Sequence, residues 1–303
     1  MTAAIELLAS NIAPIILVAA IGGLLQRAFD LDPLPLSRTI FYGFGPALVF
    51  KSIVETTISP EDIGRMGLFG LLLPVIMGAF TFAVARLLKF HAHTTSALVI
   101  SIMFLNAGNY GLPLIGFAFG DEGLAWATIF FIVHALLLNS IAVVIASAGR
   151  EPIGKAFLHM FQVPAVYAIP LAFLARSFSF ELPLYAQRSI DLLAEAAIPC
   201  MLFLLGMQIV RAGWPKQWGL IGLIALLRLV ISPLLGFPLA NLVGLNGLGL
   251  SAGVTEAAMP SAVMATVLST EYNLESDLVT GAVLITTLLS PITLTIVLTV
   301  LGT

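Results

Sequence analysis

The stretch Asn106-Ala107-Gly108-Asn109-Tyr110-Gly111-Leu112-Pro113 lies inside an apolar segment that is long enough to cross a membrane. Its two amides, two glycines and proline are unusual there, because proline in a helix interior removes a backbone donor and glycine favours unwinding. Lipid offers no hydrogen bonds, so backbone freed at this depth needs protein groups, water or a ligand. We therefore predict a broken helix that lines a cavity.

The composition places the whole chain in a lipid bilayer. Of its 303 residues, 59% are hydrophobic and 10% are charged, and the mean hydropathy is +1.07. No ordinary soluble domain has this balance. The net charge of -3 is spread along the chain without a basic stripe, so we expect no nucleic-acid partner. The single cysteine, Cys200, excludes an internal disulfide and a cysteine-based metal cluster.

Taking about 20 apolar residues per crossing, we predict an all-α polytopic membrane protein with ten transmembrane helices. The predicted spans are about 7–26, 37–55, 66–88, 95–119, 122–148, 156–176, 187–210, 217–243, 247–269 and 277–301. The loops between them are short, so the chain is predicted to form a single membrane domain over residues 1–303.

The two halves of the chain repeat. Six residues recur in the same order at spacings between 147 and 154: Pro14 with Pro164, Arg27 with Arg176, Pro33 with Pro183, Pro46 with Pro199, Pro113 with Pro260, and Asp121 with Glu275. This predicts two copies of a five-helix unit, at 1–149 and 155–303. Because five is odd, the second copy enters the membrane from the opposite side, which makes a 5+5 inverted repeat.

The basic residues near the loops predict the orientation. Eight fall on one side, namely Arg27, Arg38, Arg86, Lys89, Arg150, Lys155, Arg211 and Lys216, and four fall on the other, namely Lys51, Arg65, Arg176 and Arg188. The positive-inside rule then puts the central loop in the cytoplasm and both termini outside.

Glu256 is a carboxylate near the predicted midplane, one helical turn before Pro260. A charge at this depth costs several kilocalories unless it is paired, hydrated or protonated. Coupling to protons or sodium is one interpretation, with Thr255 and His134 as further candidates. A permanent structural pair with Arg228, which lies deep in span eight, is the alternative.

Arg228 presents a fork of donors that suits a carboxylate, so it either holds an anionic substrate or neutralises Glu256. Asn106 and Asn109 either bind substrate or cap the unwound backbone. Gly108 and Gly111 are expected to allow the backbone to unwind rather than to contact a ligand. His134 either relays protons or packs as an interior histidine. His91 and His93 alone are weak evidence for a metal site.

Signatures of enzymes are absent from the sequence: it has no Gly-Lys-Ser/Thr phosphate loop, no His-Glu-x-x-His and no serine elbow. We therefore expect a protein that is not an enzyme.

The sequence resembles the auxin efflux carrier family, which includes the plant PIN proteins and bacterial carriers of organic acids. The resemblance rests on the Asn106–Pro113 motif, the run Thr286-Thr287-Leu288-Leu289-Ser290, and Pro46, Pro199 and Pro260, and it covers essentially the whole chain. It implies the fold of the bile acid:sodium symporters, in which helices one, two, six and seven form a scaffold and the other six form a transport unit. There, helices four and nine cross at their prolines, here Pro113 and Pro260.

The resemblance also implies a function and a site. The expected function is secondary transport of a small organic anion, a mono- or dicarboxylate, by alternating access in the bacterial inner membrane. Some members of the family are dimeric, so a homodimer is expected. The short central loop argues against auxin itself as the substrate. The expected substrate-binding residues are Asn106, Asn109, Tyr110, Pro113, Arg228 and Pro260.

The expected ion-coupling residues are Glu256, Thr255 and His134, with a proton or a sodium ion near Asn106 and Glu256, and no other cofactor or metal is expected. An uncoupled uniporter, a passive anion channel and a membrane-embedded sensor are the alternatives.

Overall fold

The computed structural model describes residues 6–147, 158, 161–178 and 182–302. Over these residues the regular structure is helical, and β-type pairing is limited to one isolated bridge between Leu105 and Ser261. The predicted central loop 149–155, with Arg150 and Lys155, lies outside the described residues, as does the beginning of predicted span six.

We label the helices in chain order. Their bounds are α1 Leu8–Phe29, α2 33–55, α3 Pro60–Leu87, α4 Ala92–Met103, α5 Leu112–Leu138, α6 Ile141–Ala146, α7 Ala165–Ser177, α8 Leu184–Arg211, α9 Trp218–Leu242, α10 Gly247–Ala257, α11 Met264–Glu271 and α12 Ser276–Leu301. Short π-helical turns begin α1, interrupt α2 and α9, and precede α5.

Six helical segments of the described chain are long and apolar enough to cross a membrane. They are α1, α3, α8, α9, α12 and the segment Ala107–Ala146, while the apolar helices α4 and α7 are shorter. The chain is therefore a multi-pass membrane protein with an almost entirely helical fold. The remaining predicted crossings fall on helices that are short or interrupted, so the ten-helix repeat stays a prediction at this point.

The long segment Ala107–Ala146 is a hairpin of two helices. Gly120 has φ 68° and ψ −164°, which is not helical, and it is followed by the exposed carboxylates Asp121 and Glu122. A Cβ placed at Gly123 would lie 3.4 Å from the carbonyl oxygen of Ile115, whereas a straight helix would separate these residues by about 12 Å. The chain therefore reverses at Gly120, where the sequence predicted the end of one span and the start of the next.

The break in the first predicted segment precedes its proline. Helix α4 ends at Met103 and residues 104–106 are non-helical, whereas Pro113 lies in the first turn of α5. In the first turn of a helix the missing N–H of proline costs nothing, so Pro113 starts a helix rather than breaking one. In the second segment, α10 ends at Ala257 and Pro260 lies within the unwound residues themselves.

The helices pack most extensively in two groups. The first group consists of α1, α2, α7 and α8, and the second of α3 to α6 with α9 to α12. In the first group, glycines bring α1 and α8 unusually close: a Cβ at Gly206 would lie 1.7 Å from the carbonyl oxygen of Ala19, and one at Gly22 would lie 2.3 Å from that of Phe203. Small residues allow such backbone contact between membrane helices, where dispersion drives packing.

Candidate functional site

The two unwound segments meet each other. The N–H of Asn106 donates to the carbonyl of Pro260 at 2.8 Å, and the N–H of Ala262 donates to the carbonyl of Phe104 at 2.9 Å. These bonds frame the antiparallel bridge between Leu105 and Ser261. Backbone freed in one break is thus satisfied by backbone freed in the other, as a membrane interior requires.

Side chains satisfy the backbone groups that remain. His134 Nε2 accepts from the N–H of Leu105 at 3.1 Å, and its ring stacks on Phe130 with ring centroids 5.8 Å apart. Ser261 Oγ donates to the carbonyl of Ser101 at 2.6 Å, and Thr286 Oγ1 accepts from the N–H of Ser261 at 3.2 Å. His134 therefore caps the break in this conformation, and a role in ion coupling stays a prediction.

Arg228 is fully buried, and its guanidinium donates to the carbonyl ends of both interrupted helices. Nη1 donates to Ile102 at the end of α4 at 2.9 Å, Nη2 to Ala257 at the end of α10 at 2.5 Å, and Nε to Met259 at 2.9 Å. A π-helical turn over Leu227–Ile231 carries Arg228. Neither interpretation from the sequence foresaw backbone carbonyls as its partners.

Glu256 is also fully buried, and it does not form an ion pair within 4 Å with any described residue. Its carboxylate lies against the backbone of the Asn106–Pro113 motif, since a Cβ at Gly111 would be 2.6 Å from Oε1 and 2.7 Å from Oε2. Within the described ranges, neither oxygen has a hydrogen-bond partner. A buried carboxylate without donors is costly, so Glu256 is the group at this site that most needs a proton or a ligand.

The other predicted site residues surround the same point. Asn106 is buried, and its Nδ2 lacks a partner among the residues described, as does Oγ1 of the fully buried Thr255. Asn109 is half-buried, and the Tyr110 phenol interacts with Ser290 on α12. The structure therefore brings Asn106, His134 and Arg228 to the two breaks, with Glu256 close by at Gly111. Their roles in binding and coupling stay predictions.

Two clefts lie between the helix groups. The Tyr110 cleft, of about 490 Å³, is bounded by α1, α8, Tyr110 and the α12 residues Thr287, Leu288 and Pro291. The Arg211 cleft, of about 380 Å³, is bounded by the end of α8, the start of α2, α11 and α12, and it contains Asp32 and Arg211, which are 3.4 Å apart. Ile209 lines both clefts, so they adjoin.

Sequence reasoning missed some functional groups. Thr287 was not among the predicted site residues, yet its Oγ1 is buried without a partner in the described structure, at the wall of the Tyr110 cleft. Ser232 and Ser261 were not singled out, although both bind backbone carbonyls beside the breaks. The sequence did contain a signal for these residues: each is a small hydroxyl residue that lies close to a proline inside an apolar segment.

The described residues include no group of three or more His, Cys, Asp and Glu side chains that is placed to hold a metal ion. His91 and His93 are exposed at the start of α4.

Comparison with known proteins gives consistent matches. Residues 150–298 match a family model described as membrane transport protein. An uncharacterised transporter of Methanothermobacter thermautotrophicus is 24% identical over 233 residues, 77% of each chain. An uncharacterised transporter of Methanocaldococcus jannaschii is 24% identical over 270 residues, 82% of this chain and 84% of the relative.

A third relative carries a substrate in its name. It is a putative malonate transporter of Rhizobium meliloti, which is 28% identical over 240 residues, 75% of this chain and 74% of the relative. These matches agree with the resemblance that the Asn106–Pro113 motif carries. The chain is thus similar to membrane transport proteins of the auxin efflux carrier family.

Proposed function

We propose that the protein is a secondary active transporter that carries a small organic anion, a mono- or dicarboxylate, by alternating access. The observation that carries this proposal is the meeting of two unwound segments beside a cleft. Around that meeting point, polar atoms of Asn106, Thr255, Glu256 and Thr287 are buried without partners in the part of the chain that the structure describes. A substrate and a coupling ion would supply those partners.

The proposed architecture is ten crossings in a 5+5 inverted repeat. Ion pairs between residues far apart in the chain support it, because each pair joins helix ends or loops that the topology puts on the same side. On the predicted cytoplasmic side, Arg211 pairs with Asp32 at 3.4 Å, and Lys216 pairs with Asp277 at 2.7 Å. On the predicted outer side, Lys51 pairs with Asp191 at 2.9 Å.

In this proposal, α1, α2, α7 and α8 are the scaffold, and the other helix group moves against them as the transport unit. The clefts lie on this boundary, and the Arg211 cleft leads to the predicted cytoplasmic side. The conformation therefore corresponds to an inward-facing state. We further propose an inner-membrane protein with both termini outside and, from the family resemblance, a homodimer.

The residue roles follow from position. Asn106, Asn109 and Tyr110 face the substrate, and the charge of Arg228 favours an anion nearby. Pro260 shapes the second break, whereas Pro113 begins the helix that follows the first break. Glu256, with Thr255 and His134, provides coupling to a proton or a sodium ion. The name of the Rhizobium meliloti relative makes malonate the first substrate to test.

The test is transport by the purified full chain in lipid vesicles. Labelled malonate and a series of other mono- and dicarboxylates would be offered under imposed proton, sodium and voltage gradients. We expect saturable uptake of at least one anion and counterflow of the labelled form. Absence of saturable flux for every anion would rule out the proposal.

An uncoupled uniporter is the second candidate, and one observation favours it. Glu256 is fully buried and lines neither cleft, so it has no evident exchange with water in this conformation. Saturable counterflow without gradient-driven accumulation would favour the uniporter. Flux that does not saturate would favour a passive channel instead.

A further inference from the structure

Arg228 holds a position that soluble cations often take in transporters. The carbonyl end of a helix carries a partial negative charge, and the ends of two interrupted helices concentrate this charge at one point. Unwound carbonyls and half-helix ends of this kind coordinate sodium ions or protons in many transporters. Here three such oxygens, on Ile102, Ala257 and Met259, instead accept hydrogen bonds from one guanidinium.

The hydrogen bonds leave little capacity for a metal ion at the Ala257 carbonyl. The carbonyl of Ala257 accepts from Arg228 and also from Ser232 Oγ at 2.8 Å, which uses both of its lone pairs. Arg228 is fully buried and lines neither cleft, so an incoming substrate does not meet it directly. The π-helical turn over Leu227–Ile231 sets its direction, and such turns are frequent at functional sites.

We propose that Arg228 is a resident cation of the transport site: its guanidinium neutralises the carbonyl ends of α4 and α10 and joins them, in place of a soluble cation. This inference rests on the proposed transport function and refines it. Arg228 is then a positioning residue that fixes the two breaks relative to each other. No sodium ion binds at these carbonyls, and any coupling ion acts elsewhere, with Glu256 as the available group.

The test replaces the resident cation with one from solution. The full chain would be purified in choline chloride as wild type and as the variants R228A, R228K, R228M and S232A. Melting temperatures would be recorded with added choline, sodium or guanidinium at equal, low concentrations. The variant S232A is the matched control, because it removes a neutral donor from the same carbonyl of Ala257 and leaves the charge in place.

We expect guanidinium to leave the melting temperature of the wild type at its value in choline. R228A should melt lower and recover in a saturable way with guanidinium, whereas any defect of S232A should not respond. Counterflow by R228A should fall at least about tenfold, as expected when buried carbonyls lose a charged donor, and guanidinium should partly restore it.

Two results would overturn the inference: no response of R228A to guanidinium, or an R228M protein as stable as R228K, since methionine keeps the volume but not the charge. If R228A cannot be purified, the melting temperatures of R228K and R228M still show whether the charge at this position stabilises the protein. If the wild type transports no anion, the proposed function fails, and the melting temperatures still decide whether Arg228 acts as a resident cation.

Discussion

At the scale of residues, Glu256 and Arg228 have different surroundings although both are fully buried ionisable groups. The guanidinium has three backbone acceptors, whereas the carboxylate has no described hydrogen-bond partner. An unpaired buried carboxylate is costly unless it takes up a proton or a ligand. We therefore test ion coupling at Glu256.

Replacing Glu256 with glutamine should abolish gradient-driven accumulation while exchange persists, because the amide keeps the shape but cannot titrate. The measurement is the ratio of internal to external substrate in vesicles under a proton or sodium gradient, beside counterflow without a gradient. Glu195→Gln is the control, since that side chain is 70% exposed. Normal accumulation by Glu256→Gln would show that Glu256 is structural.

Gly111→Ala should displace the same carboxylate without unfolding the protein. The new Cβ would lie 2.6 Å and 2.7 Å from the two Glu256 oxygens, and the end of a flexible side chain can move away. We expect folded protein, a stability loss of about 1–3 kcal/mol and impaired accumulation. Gly116→Ala is the control on the same helix, because its nearest neighbours would be 3.9 Å away. Equal transport by the two variants would contradict the prediction.

At the scale of elements, the interrupted helices are stabilised by pairing with each other rather than by any intrinsic feature of either one. Their backbone hydrogen bonds cross between Phe104–Asn106 and Pro260–Ala262. By contrast, α1 and α8 are not unwound where they meet, and glycines bring their backbones into direct contact. One group of helices is thus closely packed, while the other carries the unwound, polar site.

Close packing of α1 on α8 makes Gly206→Ala a severe change. The added Cβ would lie 1.7 Å from the carbonyl oxygen of Ala19, and backbone cannot move aside as a side chain can. We expect a loss of stability at or above the roughly 1–3 kcal/mol typical of overpacking, read as a lower melting temperature in detergent. Gly219→Ala, where a Cβ would meet nothing within 4 Å, should melt like the wild type.

At the scale of the whole molecule, the clefts lie on the boundary between the two helix groups. Residues of α12 at 280, 283, 284, 287, 288 and 291 line one or the other cleft, so a single face of this helix follows the boundary. A motion that opens the site to the other side has to move this face of α12 relative to α8.

Linking α8 to α12 across the boundary should therefore stop transport. With Cys200 replaced by serine, we would introduce cysteines at Ile209 and Leu288, which both line the Tyr110 cleft, and join them with a reducible thiol cross-linker. Counterflow should fall to background when the link forms and return on reduction, whereas either single cysteine should leave it unchanged. Transport by the fully linked protein would exclude movement along this boundary.

Much of this architecture was accessible from the sequence. Hydropathy identified a multi-pass membrane protein, and the polar motif with its proline located an interrupted helix, because both depend on what lipid tolerates at a given depth. The boundary predicted between spans 95–119 and 122–148 coincides with the reversal at Gly120. The exact position of the first break was not accessible, since Pro113 suits the start of a helix as well as a kink.

The sequence by itself placed Asn106, Glu256, Arg228 and His134 at one predicted depth, since a residue's place along a span sets its expected height in the bilayer. Only the tertiary structure decided which of them meet. Arg228 binds carbonyls at the ends of α4 and α10, and Glu256 lies over Gly111. Lateral distance depends on how helices far apart in the chain pack, and no local pattern encodes it.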